Sequence, residues 1–272
     1  MDYEKITTEN IRAATHFDLT EMPYHGGSTM SSGALPKWDL LDGAFMIKRC
    51  SIDGYGNQLT DAVNEALIYR FCHALGIPAA WYKVVQIQYT DAETNRTVEA
   101  QAVITEIFDD LVHYRDVRRR MALGEGADEY LDFSEKCTVQ PGLNDLLFLD
   151  YVTNQSDRHS KNLGIVNNQM SPVFDSGACL FYDAFDSALS EVYYEKIPRH
   201  KTFGKRLDEQ LSFALHYVHP GFSFHFNENN IYAHFQTALE SVKHYYTPAR
   251  LDFISALVKG RINHAGYLLA QA

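Results

Sequence analysis

Apolar positions in the first hundred residues gather in short runs rich in β-branched and aromatic side chains. "GAFMIKRC" (43–50), "WYKVVQIQYT" (81–90) and "VEAQAVITEIF" (98–108) therefore read as strands, with "DAETN" as a hairpin turn between the last two. One helix interrupts them. From Asp61, the residues Val63, Ala66, Leu67, Phe71, Ala74 and Leu75 recur at helical spacing. Thr60 is placed to cap its start, Gly76 stands where a C′ glycine belongs, and Pro78 prevents continuation.

After residue 109 the pattern turns mostly helical. "LNDLLFLDYVTN" (143–154) is a strongly apolar helix, and two more are expected near 229–246 and 249–270, with Pro248 marking the break. With no internal repeat and no low-complexity linker, the expected class is α+β. A small strand-rich lobe (1–106) precedes a larger, mainly helical one (107–272), joined through "EIFDD" (106–110).

A chain of 272 residues can hold one large domain or two modest lobes. At this size, folding buries more than about 70% of the extended-chain surface without staples. Its 46% hydrophobic and 22% charged residues are ordinary for a globular protein. The four cysteines are scattered without a C-x-x-C pair, which argues against a structural zinc site or a disulfide scaffold and fits a reducing cytosol. Twelve histidines contain no H-E-x-x-H. The net charge of −11 disfavours direct binding to nucleic acid or to an anionic membrane. The basic cluster Arg115, Arg118, Arg119 and Arg120 is followed by Glu125, Asp128 and Glu129, as on a solvated face. The N-terminus has no apolar signal core, and no run is long enough to span a membrane, so a cytoplasmic protein is expected.

The stretch "NQSDRHSKNLGIVNNQMSPVFDSGACL" (154–180) concentrates polar chemistry: Asp157, His159, Lys161, Asn162 and Asp175. "LGIV" and "SPVF" flank "NNQM" and suggest a hairpin with a four-residue loop, Val166 facing Ser171. That register puts Asn162 opposite Asp175 with Cβ atoms about 5 Å apart. Two oxygen-bearing side chains, completed by phosphate and water, suit Mg²⁺. The plain alternative is a solvent-facing hairpin with polar ends.

Upstream, "HGGSTMSSGALPKW" (25–38) is a Gly/Ser-rich loop whose N–H groups can approach phosphate, although it is not a P-loop. Lys48 follows the apolar "AFMI" on a strand, and Glu65 on the next helix can turn toward it. A strand lysine answered by a helix glutamate is how protein kinases hold the α- and β-phosphates. Singly, these residues also read as a flexible loop, an edge lysine and a surface glutamate.

Together the residues resemble a family. Asp157-Arg158-His159-x-x-Asn162, then Phe174-Asp175-Ser176-Gly177, resembles the D-R-H-x-x-N and D-F-G-like elements of atypical kinases, phosphoinositide kinases among them. The fuller resemblance, in motif order over residues 26 to 180, is to HipA-like serine/threonine kinases, whose best-known members are bacterial toxins. "MSSGALPKW" resembles their S-G-x-x-P-K loop, "FMIKRC" their strand lysine, and "VNEALIYRFCHALGI" their N-E-bearing helix. The resemblance implies a two-lobed protein-kinase-like fold binding ATP and Mg²⁺. It implies Asp157 as the catalytic aspartate, Asn162 and Asp175 as metal ligands, and Lys48 on the phosphates. Residues 31 to 37, with Ser31, Ser32, Gly33 and Lys37, would cover the phosphates, and Glu106 to Phe108 would meet adenine. His159 and Lys161 stand where the family also places polar residues, as loop supports or phosphate contacts. Two departures stand out. The N-terminal region of larger HipA toxins is missing, so an antitoxin-type partner stays open. Ser176, not Phe, follows Asp175, so no flip of a buried Phe is implied.

The expected activity is transfer of the ATP γ-phosphate to a Ser/Thr hydroxyl, with a protein as substrate. Autophosphorylation is expected at Ser28, Thr29, Ser31 or Ser32, since added phosphate there would repel ATP. The alternatives are a nucleotide-binding regulatory protein without catalysis, or a kinase acting on a small-molecule or lipid hydroxyl.

Overall fold

The computed structural model describes residues 7–23, 25–26, 35–92, 94–123, 127–137, 139, 142–190, 195–217 and 221–272. Six strands form the main sheet: β1 (His16–Asp18), β2 (His25–Gly26), β3 (Pro36–Leu40), β4 (Phe45–Arg49), β5 (Tyr82–Thr90) and β6 (Thr97–Glu106). Their spatial order is β1-β5-β6-β4-β3-β2, with β1 parallel to β5 and every other pair antiparallel. The three strands expected from the sequence are thus β4, β5 and β6, and the structure adds β1, β2 and β3. Pro36 and Lys37 belong to β3 rather than to the loop before it.

Side-chain alternation along these strands sorts the sheet into two faces. Trp38, Leu40, Phe45, Ile47, Val85, Ile87, Tyr89, Ala100, Ala102 and Ile104 make one core, with Ile11 of α1 (Thr8–Ala13), Phe17 and Leu19 against it. Tyr82, Val84 and Val103 point the other way, into a second core built on α2 (Asp61–Leu75) that continues into the helical part. Lys48 and Lys37 lie out of phase with Ile47 and Trp38, and they face each other in register. The sheet's period therefore sends both ammonium groups to the α2 side.

The helix expected from Asp61 ends as its sequence implies. Gly76 adopts φ +74°, and its N–H reaches the carbonyls of Cys72 and His73. At the other end the Thr60 side chain donates to Tyr182 O (3.3 Å) instead of capping its own helix.

The larger lobe comprises α3 (Tyr114–Met121), α4 (Ala127–Cys137), α5 (Gly142–Val152), α6 (Leu207–Tyr217), α7 (Glu228–Glu240) and α8 (Pro248–Gln271). A small sheet of β7 (Val112–His113), β8 (Gly164–Val166) and β9 (Gln169–Met170) completes it. α5 is buried from Leu143 to Val152, its polar Asn144, Asp145 and Asp150 included. α7 ends at Glu240, short of the expected 246, and a separate 3₁₀ turn follows at Lys243–Tyr245. Pro248 opens α8 in its first turn, where its missing N–H is no loss. The α3 arginines are partnered by acids: Arg118 meets Glu129 at 3.3 Å and Arg119 meets Asp116 at 3.3 Å. No helix among the described residues is long and apolar enough to cross a membrane.

The hairpin at 164–170 departs from the expected register. Val166 pairs with Gln169 and Ile165 with Met170, and Ser171 N–H continues to Gly164 O at 2.9 Å. The turn is the two-residue Asn167-Asn168, both at positive φ (50° and 60°), not a four-residue loop. Such a turn matches the twist of paired strands, and Asn tolerates its left-handed backbone. Asn162 is consequently not the cross-strand partner of Asp175. The chain leaves the hairpin instead, and Val173 bridges to Ala79.

Candidate active site

Lys48 is the centre of the site. Its buried ammonium donates to Glu65 Oε1 and, at 3.0 Å, to Asp175 Oδ1. Three elements meet there: β4, α2, and the segment after β9. Burial works against every charge in this trio. Around Lys48 the carboxylates of Asp175 and Glu65 outweigh it and hold the ammonium well above the usual lysine range. At Asp175, burial is outweighed by Lys48, helped by Lys37 and Arg158, and the carboxyl sits at about 2. At Glu65 burial wins, and its carboxyl is pushed up to about 7. Gly177 is what lets α2 approach so closely. A Cβ there would stand 2.9 Å from both Asp61 O and Glu65 Oε1.

What brings Asn162 toward Asp175 is Arg158, not the hairpin. Its guanidinium is buried; Nη1 donates to Asn162 O (2.9 Å) and Phe174 O (2.6 Å), and Nη2 to Ser176 Oγ (2.9 Å). Nε and Nη2 also fork onto the Asp150 carboxylate, with contacts of 2.9–3.2 Å. One side chain thus ties α5, the 157–162 loop and the 174–176 segment together. Asn64, beside Glu65, anchors the far end. Its Nδ2 donates to Gly177 O (3.2 Å) and Cys179 O (2.7 Å), while Tyr246 OH donates to its Oδ1 (2.7 Å). Arg158 and Asn64 lie inside the quoted motifs, and their burial beside charged neighbours is what marks them as organisers.

Asp157 is half-exposed at the mouth of this arrangement. Its backbone N–H is held by Gln155 Oε1 (2.9 Å), and its carbonyl accepts from Asn162 Nδ2 (3.1 Å) and His159 N (2.8 Å). His159 Nδ1 accepts the Lys161 N–H at 3.3 Å, so the histidine shapes the loop from within. Lys161 is half-buried beside it. Lys37 is buried on β3 opposite Lys48, and burial, then the charge of Lys48, hold its ammonium below the usual lysine range. Phe108 packs edge-on against Phe174 at 5.9 Å, next to the site. The Glu106 carboxylate is engaged by Arg12 of α1, accepting from its Nε at 2.8 Å. Ser28, Thr29, Ser31, Ser32 and Gly33 lie outside the described residues.

The donors offered by Asn162 and Asp175 are oxygens on short side chains. Asn162 gives its Nδ2 to the Asp157 carbonyl. Among the described residues no group of three or more His, Cys, Asp or Glu side chains forms a metal cage. A cation here would depend on these two ligands plus phosphate and water oxygens, and that sparse, hard donor set fits Mg²⁺.

Beneath the loop, His200 is buried with Nε2 3.5 Å from Asp150 Oδ2, long for a hydrogen bond. Burial, against the pull of Asp150, holds its imidazole below the ordinary 6.5 and keeps it neutral. A proton taken up only by the unfolded chain favours unfolding, so this stability is complete above about 6.5 and is lost as pH falls. The loss is up to about 1.4 kcal/mol per pH unit. Thermal midpoints at about pH 7.5 and about pH 5.5 are expected to differ less in His200→Gln than in the wild type. Equal differences would show that His200 already titrates normally in the folded protein.

No protein-family model matches the chain, and no curated protein matches it by sequence. Among solved structures it is similar to the Helicobacter pylori proinflammatory kinase CtkA, at 16% identity and a TM-score of 0.61. That match covers 93% of this chain and 98% of the other. HipA of Shewanella oneidensis MR-1, in its complex with HipB and operator DNA, aligns at 13% identity over 99% of this chain and 73% of that one, with a TM-score of 0.49. A Neurospora crassa PAN3 pseudokinase mutant aligns at 14% identity over 93% and 65%, with a TM-score of 0.29. The weight rests on CtkA, and at that identity what is shared is the path of the chain. In this chain that path runs through a sheet lobe, which holds the Lys48–Glu65 pair, and then a helical lobe carrying the 157–162 loop. The chain therefore has the two-lobed, protein-kinase-like α+β fold that its resemblance to HipA-like kinases implies.

Proposed function

We propose that the chain transfers the γ-phosphate of Mg·ATP to a serine or threonine hydroxyl of a protein. The observation that carries this reading is the Lys48 ammonium, buried between Glu65 and Asp175. A lysine held this way on a sheet, with the metal-ligating carboxylate in reach, is the arrangement phosphoryl transfer needs. Little covalent chemistry falls to the protein, so positioning and charge carry the rate.

Lys48 and Lys37 meet the phosphates, and the sequence segment with Ser31, Ser32 and Gly33, outside the described residues, is assigned to the same phosphates by its resemblance to the S-G-x-x-P-K motif. The backbone from Glu106 to Phe108 receives adenine. Asn162 and Asp175 would hold Mg²⁺, which would supply positive charge to neutralise the phosphates. Asp157 aligns the acceptor hydroxyl and takes its proton, while His159 and Lys161 keep the loop in shape. The acceptor oxygen bonds to the γ-phosphorus as the bond to the β–γ bridging oxygen breaks, and ADP leaves.

Incubation with γ-labelled ATP and Mg²⁺ tests the reading. Label is expected on protein, the chain's own 26–37 segment included, as a mass gain that is absent from Asp157→Ala. A phosphopeptide within 26–37 would identify which of Ser28, Thr29, Ser31 and Ser32 is modified. If Mg·ATP raised the melting temperature while no label moved to protein, small hydroxyl compounds or water, the chain would be a nucleotide-binding regulator instead.

A further inference from the structure

Lys201 reaches the candidate catalytic carboxylate from a part of the chain that no motif marks. Its Nζ stands 2.5 Å from Asp157 Oδ1, on the turn that precedes α6. An exposed lysine–carboxylate pair is ordinarily worth about 0–1 kcal/mol, because two flexible side chains must be ordered to form it. Here the backbone that carries Lys201 is fixed on both sides. The turn closes through Gly204 N–H to His200 O at 2.8 Å, with Gly204 at φ +78°, and its base is pinned by the Arg199–Arg206 bridge. His200, buried, accepts the Thr202 and Phe203 N–H groups on Nδ1 at 3.2 and 3.3 Å, and its ring stacks on Phe203 at 4.8 Å. Phe203 is itself buried, edge-on to Tyr114 and Tyr130. Thr202 Oγ1 then donates to Arg158 O at 2.9 Å, locking the turn to the residue that follows Asp157.

A turn fastened this firmly does not need Lys201 for its own stability. Among the described residues the Lys201 ammonium donates to a single carboxylate oxygen, Asp157 Oδ1. From this geometry we propose that Lys201 is a positioning residue for phosphoryl transfer. By holding Asp157 Oδ1 it fixes the carboxylate's orientation, so that Oδ2 meets the acceptor hydroxyl. In the step it serves, the hydroxyl proton passes to Asp157 Oδ2, the acceptor oxygen bonds to the γ-phosphorus, and the β–γ bridging bond breaks to release ADP. The inference rests on the kinase reading above. It goes further in assigning acceptor alignment jointly to the 157–162 loop and the 200–204 turn.

The test uses the full chain and measures γ-phosphate transfer to water and to protein, so no acceptor has to be known. Lys201→Met is expected to lower kcat by about ten- to a hundredfold, with KM for ATP within about twofold of wild type and Lys201→Arg recovering most of the loss. Because Lys201 acts through Asp157, Lys201→Met added to Asp157→Asn should lower the rate no further. An unchanged or raised kcat in Lys201→Met overturns the proposal, as does full additivity with Asp157→Asn. So does a loss confined to melting temperature and KM. Wild-type protein that moves no phosphate at all overturns the kinase reading itself, a result distinct from an active wild type beside an equally active Lys201→Met.

Discussion

Asp175→Asn is expected to reduce γ-phosphate transfer by about a thousandfold or more, which corresponds to roughly 4 kcal/mol of lost transition-state stabilisation. The folded protein should survive the change. Asp175 adopts φ +50°, a left-handed backbone that Asn accepts as readily as Asp, so no strain is added. The amide oxygen can still accept from Lys48, which now reaches Asp175 Oδ1 at 3.0 Å, and Lys48 keeps Glu65 as its second partner. What disappears is the negative charge. An amide is a poor substitute for a carboxylate on a hard divalent cation, and the only other side-chain ligand proposed is the neutral Asn162. The measurement is initial-rate transfer of labelled γ-phosphate across a Mg²⁺ titration, with melting temperature followed in parallel. Partial recovery at high Mg²⁺ would identify weakened metal binding as the cause. A near-native rate at low Mg²⁺ would remove Asp175 from the site.

Lys48 shows how much of this was legible in sequence. Strand alternation alone puts it on the opposite face from Ile47, and the helical repeat after Asp61 supplies a facing surface with Glu65 on it. Both inferences are local, and both strand and helix formed as read. The hairpin failed for a reason that is also local. Two consecutive asparagines at positive φ make a complete turn by themselves, and treating them as half of a longer loop shifted every pair. The sequence pairs Asn162 with Asp175 through that register and through the kinase resemblance; in the structure the segments carrying them are tied by Arg158, whose burial no periodicity announces. The least legible parts are long-range. Lys201 lies 44 residues beyond Asp157 in a segment without apolar rhythm, and Arg12 holds Glu106 from 94 residues away. Nothing in a one-dimensional pattern records such contacts, since each depends on where two separately folded turns happen to meet.

Arg158→Met is expected to give the largest loss of stability of any single change near the site, about 3–5 kcal/mol. The guanidinium donates in three directions at once: to Asp150, to the carbonyls of Asn162 and Phe174, and to Ser176 Oγ. Burial opposes ionisation of Asp150, yet Arg158 and then His200 hold its carboxyl below the usual range. Methionine fills much of the volume but leaves that carboxylate buried with a neutral histidine beside it, together with two carbonyls that have lost their donor. At roughly 2–4 °C per kcal/mol for a chain of this size, the melting temperature should fall by about 10 °C. Arg158→Lys should restore little, because one ammonium cannot span the fork to Asp150 and both carbonyls. Adding Asp150→Asn to Arg158→Met should recover part of the loss, since it removes the stranded charge rather than the bond. Activity separates the two roles of this arginine. If Asp150→Asn/Arg158→Met regains stability but not phosphate transfer, Arg158 matters chiefly for bringing Asn162 toward Asp175. A double variant that regains both would mean the 157–162 loop and the 174–176 segment find each other without it, through Asn64 and Thr202 at their ends.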